Sequence, residues 1–451
     1  MTKTTQSKSQ LKPTNIPWLG DIPADWEVRR LKQVFKYVTG ATPDTGKNNY
    51  YSDDGFNWIT ISDLNGKYTK DSKNKITQIA VDQKNMTIVP KGALLYSFKL
   101  SVGQMSFVEL PTYTNEAIFA ILPSNNLNLD FWYYALGSYM QNSANENIYG
   151  AKIFNQDSID NALLICPPLT TQQAIVEYLD SKTNLISQFI SDKQTMITRL
   201  KEQKQSLIHN AVTGKIPLLR GGDEVDGVDI IPKINNLNTN SKLRSTSLSH
   251  SSGTPQEENL FKPTNIPWLG DIPADWEVVK LKYLGRIRSG EMFSNLEVKN
   301  SGTYEIFGGN GLIGYSEKFN VENECIIIGR VGAKCGNVRH IKQKKWITDN
   351  ALIFELKNSE IYNYLTFILE LMDLNNLSES NAQPLITGSK IIEQQIPLPP
   401  LPTQQAIVKY LDIETAKIDT LIDTITQEIE LTREYKQSLI YKAVTGKISV
   451  E

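Results

Sequence analysis

Residues that could bind a nucleotide occur in this chain only as fragments of the usual motifs. Residues 213–216 (TGKI) have neither the Ser or Thr after the lysine nor the upstream glycine that a phosphate-binding loop requires. Residues 308–311 (GGNG) and 329–332 (GRVG) have the composition of tight turns, and no glycine-rich fingerprint follows a strand and opens a helix. The sequence therefore predicts that this chain does not use ATP or bind a dinucleotide.

Metal-binding and nuclease patterns are equally incomplete. Cys325, Cys335 and His340 lack the paired spacing of a zinc site, and the whole chain has three histidines. Residues 297–299 (EVK) match half of a nuclease signature, which is a pattern short enough to arise by chance. We therefore predict neither a catalytic site nor a metal site, and we expect that the protein is not an enzyme.

The charge balance limits how this chain can bind nucleic acid. It has 47 Lys and Arg against 49 Asp and Glu, a formal net charge of −2, whereas affinity for nucleic acid depends on neutralising phosphates. Any DNA binding must therefore come from local basic loops, or from a larger assembly whose partners supply charge. The densest basic cluster fits a solvated loop better than a binding site, and it consists of Arg339, His340, Lys342, Lys344 and Lys345.

Length and composition indicate a soluble protein with more than one core. The 451 residues exceed the roughly 100–200 residues of a typical domain. No apolar run approaches the roughly 20 residues that span a bilayer, and the first 11 residues lack the apolar stretch of a signal peptide. Three cysteines, an odd number, favour free thiols. We expect a cytoplasmic protein that does not associate with a membrane.

Three blocks of the sequence occur twice, which makes the chain a tandem duplication. The first block recurs unchanged 250 positions later, and the other two recur 232 positions later with few changes. The intervening segment is therefore 18 residues longer in the first copy, and the two intervening segments, 29–166 and 279–398, differ almost completely. The repeated blocks are residues 12–28 and 262–278, 167–180 and 399–412, and 205–216 and 437–448.

The pattern predicts an α+β protein in which two mixed α/β domains are each followed by a long helix. In each intervening segment, short strand-like runs precede one apolar helical candidate, at 129–140 and at 361–372. The predicted segments are a disordered N-terminus (1–11), a first domain (12–166), a first long helix (167–216), a linker (217–261), a second domain (262–398) and a second long helix (399–448).

Short matches inside the intervening segments indicate that both share one fold whose surface loops have diverged. Each match alone is weak, but all four occur in the same order along the two copies. They pair 94–99 (LLYSFK) with 325–330 (CIIIGR), 102–103 (VG) with 335–336 (CG), 114–117 (TNEA) with 348–351 (TDNA), and 150–153 (GAKI) with 388–391 (GSKI).

Both long helices carry signals at their ends. Thr170 with Gln173 fits a capping box at the first start, where the second copy has Pro402 instead. Gly214 and Gly446 fit left-handed caps at the two ends. A helix over residues 171–213 would be about 64 Å long, which is too long for one small domain to bury.

Apolar residues along both helices recur with heptad spacing, which predicts an antiparallel coiled coil. Lys182 and Lys193 in the first helix and Glu414 and Glu428 in the second favour pairing of one helix with the other. The alternative is two separate amphipathic helices, each packed on its own domain. The predicted packing residues are Ile175, Leu179, Ile186, Phe189, Leu200 and Leu207 in the first helix and Ile407, Leu411, Ile418, Leu421, Ile425 and Leu439 in the second.

The repeated blocks resemble those of the specificity subunit of type I restriction-modification systems. The residues that carry the resemblance are PPL-x-x-Q-Q-x-x-I-V-x-Y-L-D at each helix start, K-Q-S-L-I-x-x-A-V-T-G-K-I at each helix end, and IP-x-x-W before each variable domain. Residues 309–315 (GNGLIGY) and 328–333 (IGRVGA) also resemble loops of the target-recognition domains in this family. The resemblance covers nearly the whole chain.

The resemblance implies a non-catalytic DNA reader. Each variable domain would recognise one half of a bipartite, asymmetric site in double-stranded DNA, and the paired helices would set the gap between the halves and dock two methyltransferase subunits. Restriction subunits would join the assembly, and the partner subunits, not this chain, would bind S-adenosylmethionine, ATP and Mg. The alternatives are a standalone bipartite DNA-binding regulator and a coiled-coil scaffold whose variable domains bind protein.

The resemblance also suggests which side chains would contact DNA, since Arg and Lys address guanine or phosphate and Asn and Gln address adenine. An ordinary exposed side chain explains each of these residues at least as well. The candidates are Thr42, Lys47, Lys99, Ser101, Gln104 and Lys152 in the first domain, and Asn310, Tyr315, Arg330, Lys334, Asn337 and Lys390 in the second.

Overall fold

The protein divides into two units that each contain segments of both repeats. The first unit consists of Met1–Lys193 with Gln427–Glu451, and the second of Gln194–Thr426. Each unit thus holds one variable segment and parts of both long helices, and the domain limits given above stay predictions. The structure, a computed structural model, describes residues 10–99, 101–141, 145–146, 152–216, 260–294, 298–332, 335–378 and 384–450.

The two longest described helices are of equal length, 44 residues each. One begins in the first unit and ends in the second, and the other begins in the second and ends in the first. The described α-helices are α1 Leu31–Val34, α2 Gln78–Gln83, α3 Leu129–Met140, α4 Gln156–Asp160, α5 Leu169–Val212, α6 Leu281–Leu284, α7 Tyr362–Leu371, α8 Gly388–Ile392 and α9 Leu401–Val444.

The first unit is built around a five-stranded sheet of order β4-β11-β8-β9-β6, beside a three-stranded sheet of order β10-β5-β7. Two-stranded ladders join β1 to β2, β3 to β14, and β12 to β13. Its strands are β1 Leu11–Pro13, β2 Asp21–Pro23, β3 Glu27–Arg30, β4 Tyr37–Thr39, β5 Tyr51–Ile59, β6 Tyr68–Thr69, β7 Asn74–Ile76, β8 Leu94–Ser97, β9 Met105–Val108, β10 Tyr113–Thr114, β11 Ile118–Ile121, β12 Asn145–Glu146, β13 Lys152–Ile153 and β14 Leu163–Cys166.

The second unit has a four-stranded sheet of order β18-β24-β21-β22 and a three-stranded sheet of order β20-β19-β23. Ladders of two strands join β15 to β16 and β17 to β25. Its strands are β15 Phe261–Pro263, β16 Asp271–Pro273, β17 Glu277–Lys280, β18 Gly285–Ser289, β19 Tyr304–Gly308, β20 Gly311–Ser316, β21 Cys325–Gly329, β22 Val338–Ile341, β23 Trp346–Ile347, β24 Ala351–Leu356 and β25 Gln395–Leu398.

The central strands of the larger sheet in each unit are buried on both faces, since β8, β11 and β21 are buried at every position. Along β8, Leu94 and Tyr96 face the cluster that contains α3, whereas Leu95 faces a separate cluster. Ile326 and Ile327 of β21 divide between two clusters in the same way. This alternation follows the two-residue period of a strand, and it explains why these runs lack alternating polar residues.

The repeated block at residues 12–28 forms a short strap that folds on itself. Thr14 Oγ1 donates to the carbonyl of Gly20 at 2.6 Å, and Lys12 Nζ donates to the carbonyl of Ala24 at 2.8 Å. The second strap, residues 262–278, repeats both bonds at 2.6 and 2.9 Å. Identical sequence therefore yields the same local structure in both units.

Each long helix ends against the strap of the other repeat. In the first unit, a Cβ on Gly446 would lie 2.6 Å from Cδ of Pro23 and 3.2 Å from the ring of Trp26. In the second unit, Gly214 has the same relation to Pro273 and Trp276, at 2.4 Å from Cγ of the proline and 3.2 Å from the tryptophan ring. Gly214 and Gly446 have φ of +68° and +69°, so the left-handed ends predicted from the sequence are present.

The starts of the helices differ from the prediction. Because α5 begins at Leu169, Thr170 lies inside the first turn and does not form a capping box with Gln173. Gln172 instead donates from Nε2 to the carbonyl of Pro167 at 2.9 Å, and the equivalent Gln404 repeats the bond in α9. In each helix, a glutamine side chain of the first turn therefore forms a hydrogen bond with the proline two positions before the helix begins.

Inside the first unit, the start of α5 and the end of α9 lie alongside each other in opposite directions. Lys193 pairs with Glu428 at 2.7 Å, and Ser187 accepts a hydrogen bond from Lys436 at 2.9 Å. In the second unit, Lys204 pairs with Asp419 at 2.6 Å. Of the charges named from the sequence, Lys193 and Glu428 are therefore partners.

The other two named charges have partners elsewhere. Lys182 lies over the ring of Tyr178 at 5.8 Å, and Glu414 pairs with Lys417 at 2.8 Å on its own helix. These two residues therefore interact within their own helices.

Burial along both helices follows the predicted heptad spacing, but two residues were assigned to it wrongly. Phe189 and Leu421 face solvent, 42% and 39% exposed, whereas the next residues, Ile190 and Ile422, are half-buried. Two series with seven-residue spacing are buried or half-buried throughout each helix. They are Gln172, Leu179, Ile186, Lys193, Leu200 and Leu207 with Val176, Thr183, Ile190, Ile197, Lys204 and Ala211 in α5, and Gln404, Leu411, Ile418, Ile425, Thr432 and Leu439 with Val408, Thr415, Ile422, Ile429, Lys436 and Ala443 in α9.

The remaining residues predicted to pack are at least partly buried. Leu200 and Leu207 are half-buried, as are Ile186 and Ile418. The buried ones are Ile175, Leu179, Ile407, Leu411, Ile425 and Leu439.

Candidate nucleic-acid interface

Three loops meet at one end of the five-stranded sheet in the first unit. The amide of Gly40 donates to the carbonyl of Ile118 at 3.3 Å, and that of Phe98 donates to the carbonyl of Ala117 at 2.9 Å. These bonds hold together residues 40–42, 98–99, 101–104 and 115–117, which we call the first tip. The first tip contains four of the residues predicted to contact DNA, Thr42, Lys99, Ser101 and Gln104.

Within the first tip, the predicted residues have different environments. Thr42 donates from its hydroxyl to the carboxylate of Glu116, so an acid lies within this surface. Lys99 and Gln104 are exposed, and Lys99 lies over the ring of Phe98 at 5.7 Å. The carbonyl of Ser101 accepts from Ser97, which fixes the turn. Lys99 is therefore the only cation that the described first tip presents.

Two other predicted residues of the first domain lie outside the first tip. Lys47 donates to the hydroxyl of Tyr50 at 3.2 Å and lies over its ring. Tyr50 belongs to the core of the three-stranded layer, so Lys47 covers that layer. Lys152 lies in β13.

The second unit forms a corresponding surface from its hairpins and glycine-rich turns. The amide of Gly290 donates to Ala351 and that of Arg330 to Asn350, both at 3.0 Å. A Cβ on Gly309 would lie 3.5 Å from Cα of Gly329, so the β19–β20 hairpin reaches the same place. We call residues 289–290, 309–311, 329–332, 335–337 and 348–350 the second tip.

The structure brings together Asn310, Arg330 and Asn337 in the second tip, but not Tyr315. Tyr315 lies at the opposite end of β20, where its backbone exchanges two 3.0 Å hydrogen bonds with Lys299. A sequence motif of seven residues spans a whole hairpin arm, so its two ends cannot reach the same surface. Lys334 lies outside the described residues.

The two tips share the same backbone hydrogen bonds, but the sequence match of 94–99 with 325–330 is displaced by one residue. Ser97 and Gly329 are the last ladder residues of β8 and β21, and the amide of each bonds the start of the next strand at 2.9 Å. Arg330 therefore corresponds to Phe98, not to Lys99. The shift arises because short apolar runs match equally well in neighbouring registers, whereas hydrogen bonds do not.

The match between 114–117 and 348–351 is also displaced by one residue. Ile118 pairs with Ser97 as Ala351 pairs with Gly329, so 114–117 corresponds to 347–350. The match of 102–103 with 335–336 is correct. Gly103 and Gly336 both have positive φ and bond the end of the preceding strand, at 2.9 and 2.7 Å.

The match of GAKI with GSKI is wrong. Lys152 lies in a strand, whereas Lys390 lies in helix α8 and donates to the carbonyl of Leu377 at 3.1 Å. The helix equivalent to α8 is α4, since Ile159 and Ile391 are both fully buried at the same position relative to the following strand. Lys152 and Lys390 are therefore not equivalent phosphate-binding residues.

The densest basic cluster is largely neutralised by its neighbours. His340 contacts Glu324 at 2.7 Å, and Lys344 pairs with Glu322 at 2.6 Å. Lys345 pairs with Glu305. Only Arg339 of the paired strand β22 and the exposed Lys342 lack such a carboxylate in the described part of the chain. The cluster as a whole is thus not a basic surface.

In the second variable domain, acidic residues also pair with the cations that lie in and between β17 and β18. Burial alone would raise the pKa of Glu355, but hydrogen bonds from Arg286 and Arg288 outweigh it and keep the pKa below its ordinary value. Hydrogen bonds from Lys280 and Lys282 hold the pKa of Glu393 at about 2. These positive charges are therefore paired internally.

A lysine attaches the first variable domain to its long helix. Lys67 pairs with Asp130 of α3 at 3.0 Å and with Asp180 of α5 at 3.4 Å. Burial alone would lower the pKa of Lys67, but the hydrogen bond to Asp130 and the charges of both carboxylates raise it. Tyr134 donates to the same Asp180 at 2.5 Å. This network fixes the orientation of the domain on α5.

Sequence reasoning missed the two glycines that close the tips. A Cβ on Gly40 would lie 1.9 Å from the carbonyl oxygen of Thr114, and one on Gly290 would lie 2.2 Å from that of Thr348. Their equivalence was visible in the sequence, because they are 250 positions apart like the first repeated block. Only the structure shows why no side chain fits there.

We expect Gly40→Ala to destabilise the first unit by about 1–3 kcal/mol, because the added methyl group would overlap the Thr114 carbonyl. Gly46→Ala is the matched control on the same loop, since its nearest neighbour would be Oδ1 of Asp44 at 3.5 Å. Denaturant unfolding of both variants measures the difference. Equal stability of the two variants would contradict the close approach.

Neither a candidate metal-binding cluster nor a candidate membrane-spanning helix occurs among the described residues. No group of three or more His, Cys, Asp or Glu side chains within them is arranged to hold a metal ion. None of the described helices is both long and apolar enough to cross a membrane.

A shared framework with different side chains at equivalent tips defines a tandem-repeat protein with two related α+β domains and two long helices. The family model for the type I restriction modification DNA specificity domain matches residues 23–199 and 273–431. These matches span most of the chain, one in each copy. The protein belongs to this family.

Individual relatives agree with the family over the full length. The chain is 25% identical over 463 residues to the type I restriction enzyme MjaIX specificity subunit of Methanocaldococcus jannaschii, with 98% of each chain covered. It is 23% identical over 413 residues to the type I restriction enzyme EcoprrI specificity subunit of Escherichia coli, with 88% of each covered.

A solved structure has the same fold. It is a chain from a study of complex assembly and conformational transition of the type I R-M system, with a TM-score of 0.63 at 14% identity. The likeness covers 95% of this chain and 99% of that chain. At this level of identity, the likeness establishes the tandem-domain α+β fold and nothing finer.

Proposed function

We propose that this chain is the DNA specificity subunit of a type I restriction-modification complex, and that its two tips read the two halves of one bipartite DNA site. The observation that carries this proposal is that the two tips have the same backbone hydrogen bonds but different side chains. The same hydrogen bonds support both tips, but Phe98 occupies the position of Arg330. Two readers that differ in this way would recognise two different sequences, and the combined site would be asymmetric.

The long helices would act as the spacer between the two readers. Half-sites on one face of DNA are separated by about 34–36 Å per helical turn, so the distance between readers limits the permitted gap. Lys67 supports this role because it connects a reader to α5 through two carboxylates. We further propose that α5 and α9 pair along their length as an antiparallel coiled coil with heptad packing.

Methyltransferase subunits would dock on the parts that both copies share, and restriction subunits would join them. Two copies of each repeated block suit two equivalent methyltransferase subunits. S-adenosylmethionine, ATP and Mg would bind to the partners. In this chain Gly214 of the TGKI sequence packs against Pro273 and Trp276, which leaves it no room to cradle a phosphate. The near-neutral charge is consistent with partners that share in enclosing the DNA.

The direct test is to express this chain with methyltransferase subunits encoded beside its gene, purify the complex and sequence the host methylome. We expect co-purification of the methyltransferase and one methylated, bipartite, asymmetric motif. Recovery of the chain without a methyltransferase would favour a standalone DNA-binding regulator. Binding of other proteins without DNA would favour a scaffold.

Exchanging residues 29–166 for the variable segment of a relative should change one half of the methylated motif and leave the other half intact. The reason is that each tip is held by bonds within its own unit. Methylome sequencing of the exchanged strain reads both halves at once. The matched control is exchange of 279–398, which should change only the other half. A change in both halves from either exchange would refute independent reading.

A further inference from the structure

The four arginines of the second variable segment divide into two environments. Arg286 and Arg288 both donate from Nε to Glu355, at 2.7 and 3.0 Å. Arg330 and Arg339 have no carboxylate partner within the described residues. An arginine without a carboxylate partner is free to bind a polyanion. The arginines best able to bind DNA phosphates or bases therefore lie in or beside the second tip.

Both unpaired arginines donate to residues of the second tip. Terminal nitrogens of Arg339 and Arg330 donate to Asn310 O at 3.4 Å and to Ser289 Oγ at 3.2 Å. A Cβ on Gly311 would lie 3.2 Å from the Arg339 guanidinium. Neutral acceptors therefore hold both guanidinium groups in place without cancelling their charge.

The open edge of the sheet explains why only the second unit has this arrangement. Arg339 lies on β22, the last strand in the order β18-β24-β21-β22. In the first unit the corresponding strand β9 is covered by β6, and the corresponding residue is Ser106, which is fully buried and bonded to Gly66. The first unit thus has no arginine at either equivalent position.

We propose that Arg339 reads a guanine in the half-site bound by the second domain. This inference rests on the proposed function. A guanidinium presents a rigid fork that matches O6 and N7 of guanine, whereas an ammonium of the same charge can reach these atoms only as a point donor on a flexible stem. The first tip, with Lys99 as its cation and Glu116 beside Thr42, reads its half-site by other contacts.

The test is the methylome of the complete complex carrying Arg339→Lys. We expect the motif to lose its preference for guanine at one base pair, in one half-site, by about 10-fold or more. The other half-site stays unchanged. Arg286→Lys is the matched control, since Arg286 is 82% exposed at its side chain and paired with Glu355, and it should leave the motif intact. Arg330→Lys should weaken the same half-site.

Three outcomes decide the inference. An unchanged motif in the Arg339→Lys complex overturns it, because the bidentate contact is then not used. Equal weakening at all methylated sites also overturns it, because it assigns Arg339 to a phosphate. If the wild-type complex methylates no DNA, the proposed function itself fails. Unfolding curves for the lysine variants ensure that a lost half-site reflects recognition rather than loss of folding.

Discussion

Residues 1–216, expressed alone, are expected to form a stable homodimer. In the full chain, Leu439, Ala443 and Val444 at the end of α9 lie in the same buried cluster as Leu19 and Trp26 of the first strap. Removing the second repeat would expose this apolar surface. The end of α5 carries the same residue types 232 positions earlier, so a second copy can supply the missing contacts.

The expected dimer is symmetric because each copy provides a strap and a helix end. A closed two-fold arrangement satisfies both at once. Sedimentation equilibrium gives the mass, and a fragment that ends at residue 200 is the control, since it lacks the segment 205–216. We expect that control not to dimerise. A monomeric, well-folded 1–216 would show that the strap does not need a helix end.

If the proposed function is correct, the same fragment with methyltransferase should methylate a symmetric site made of two copies of the first half-site. The second reader is absent, and the first occurs twice. Methylome sequencing distinguishes this symmetric motif from the wild-type asymmetric one. Retention of the original asymmetric motif would contradict the assignment of one half to each tip.

Gly446→Ala is expected to destabilise the first unit far more than Gly20→Ala. Both glycines have left-handed φ, +69° and +70°, so both substitutions carry the strain of about 1–2 kcal/mol. An added methyl group at Gly20 meets no atom within 4 Å, whereas at Gly446 it lies 2.6 Å from Pro23. Overpacking should add about 1–3 kcal/mol.

The difference between the two variants isolates the contact between helix end and strap. Denaturant unfolding monitored by tryptophan fluorescence suits the measurement, because Trp26 lines the contact. Gly214→Ala should have the same effect on the second unit, where Pro273 lies 2.4 Å from the added methyl group. If Gly20→Ala and Gly446→Ala lowered the free energy of unfolding equally, the strap would have moved to accept the added methyl group, and the predicted overpacking against Pro23 would be wrong.

The repeated blocks could be interpreted from the sequence because their signals are local. Long apolar periodicity predicted α5 and α9, and the glycines of Thr-Gly-Lys predicted their ends. The sequence was less decisive about which residues of each long helix face its partner, because neighbouring apolar residues fit the same spacing. The heptad spacing was predicted correctly, but Phe189 and Leu421 were assigned to packed positions that Ile190 and Ile422, one residue later, occupy.

The variable segments were harder because their equivalence lies in backbone hydrogen bonds rather than in side chains. Matching LLYSFK to CIIIGR placed Arg330 opposite Lys99, and the ladder places it opposite Phe98. Tyr315 was grouped with Asn310 by a motif, but Asn310 precedes β20 and Tyr315 is the fifth residue of that strand. Proximity in a short sequence does not establish a shared surface when the backbone is extended.

By itself, the sequence determined the duplication, the two long helices and the α+β class, since repeats, periodicity and caps are properties of neighbouring residues. Only the tertiary structure decided which strap receives which helix end, and which arginines keep their charge. Those outcomes depend on contacts between residues far apart in the chain. Gly446 meets Pro23, and Glu355 neutralises Arg286 and Arg288 but does not reach Arg339. No local pattern encodes such distances.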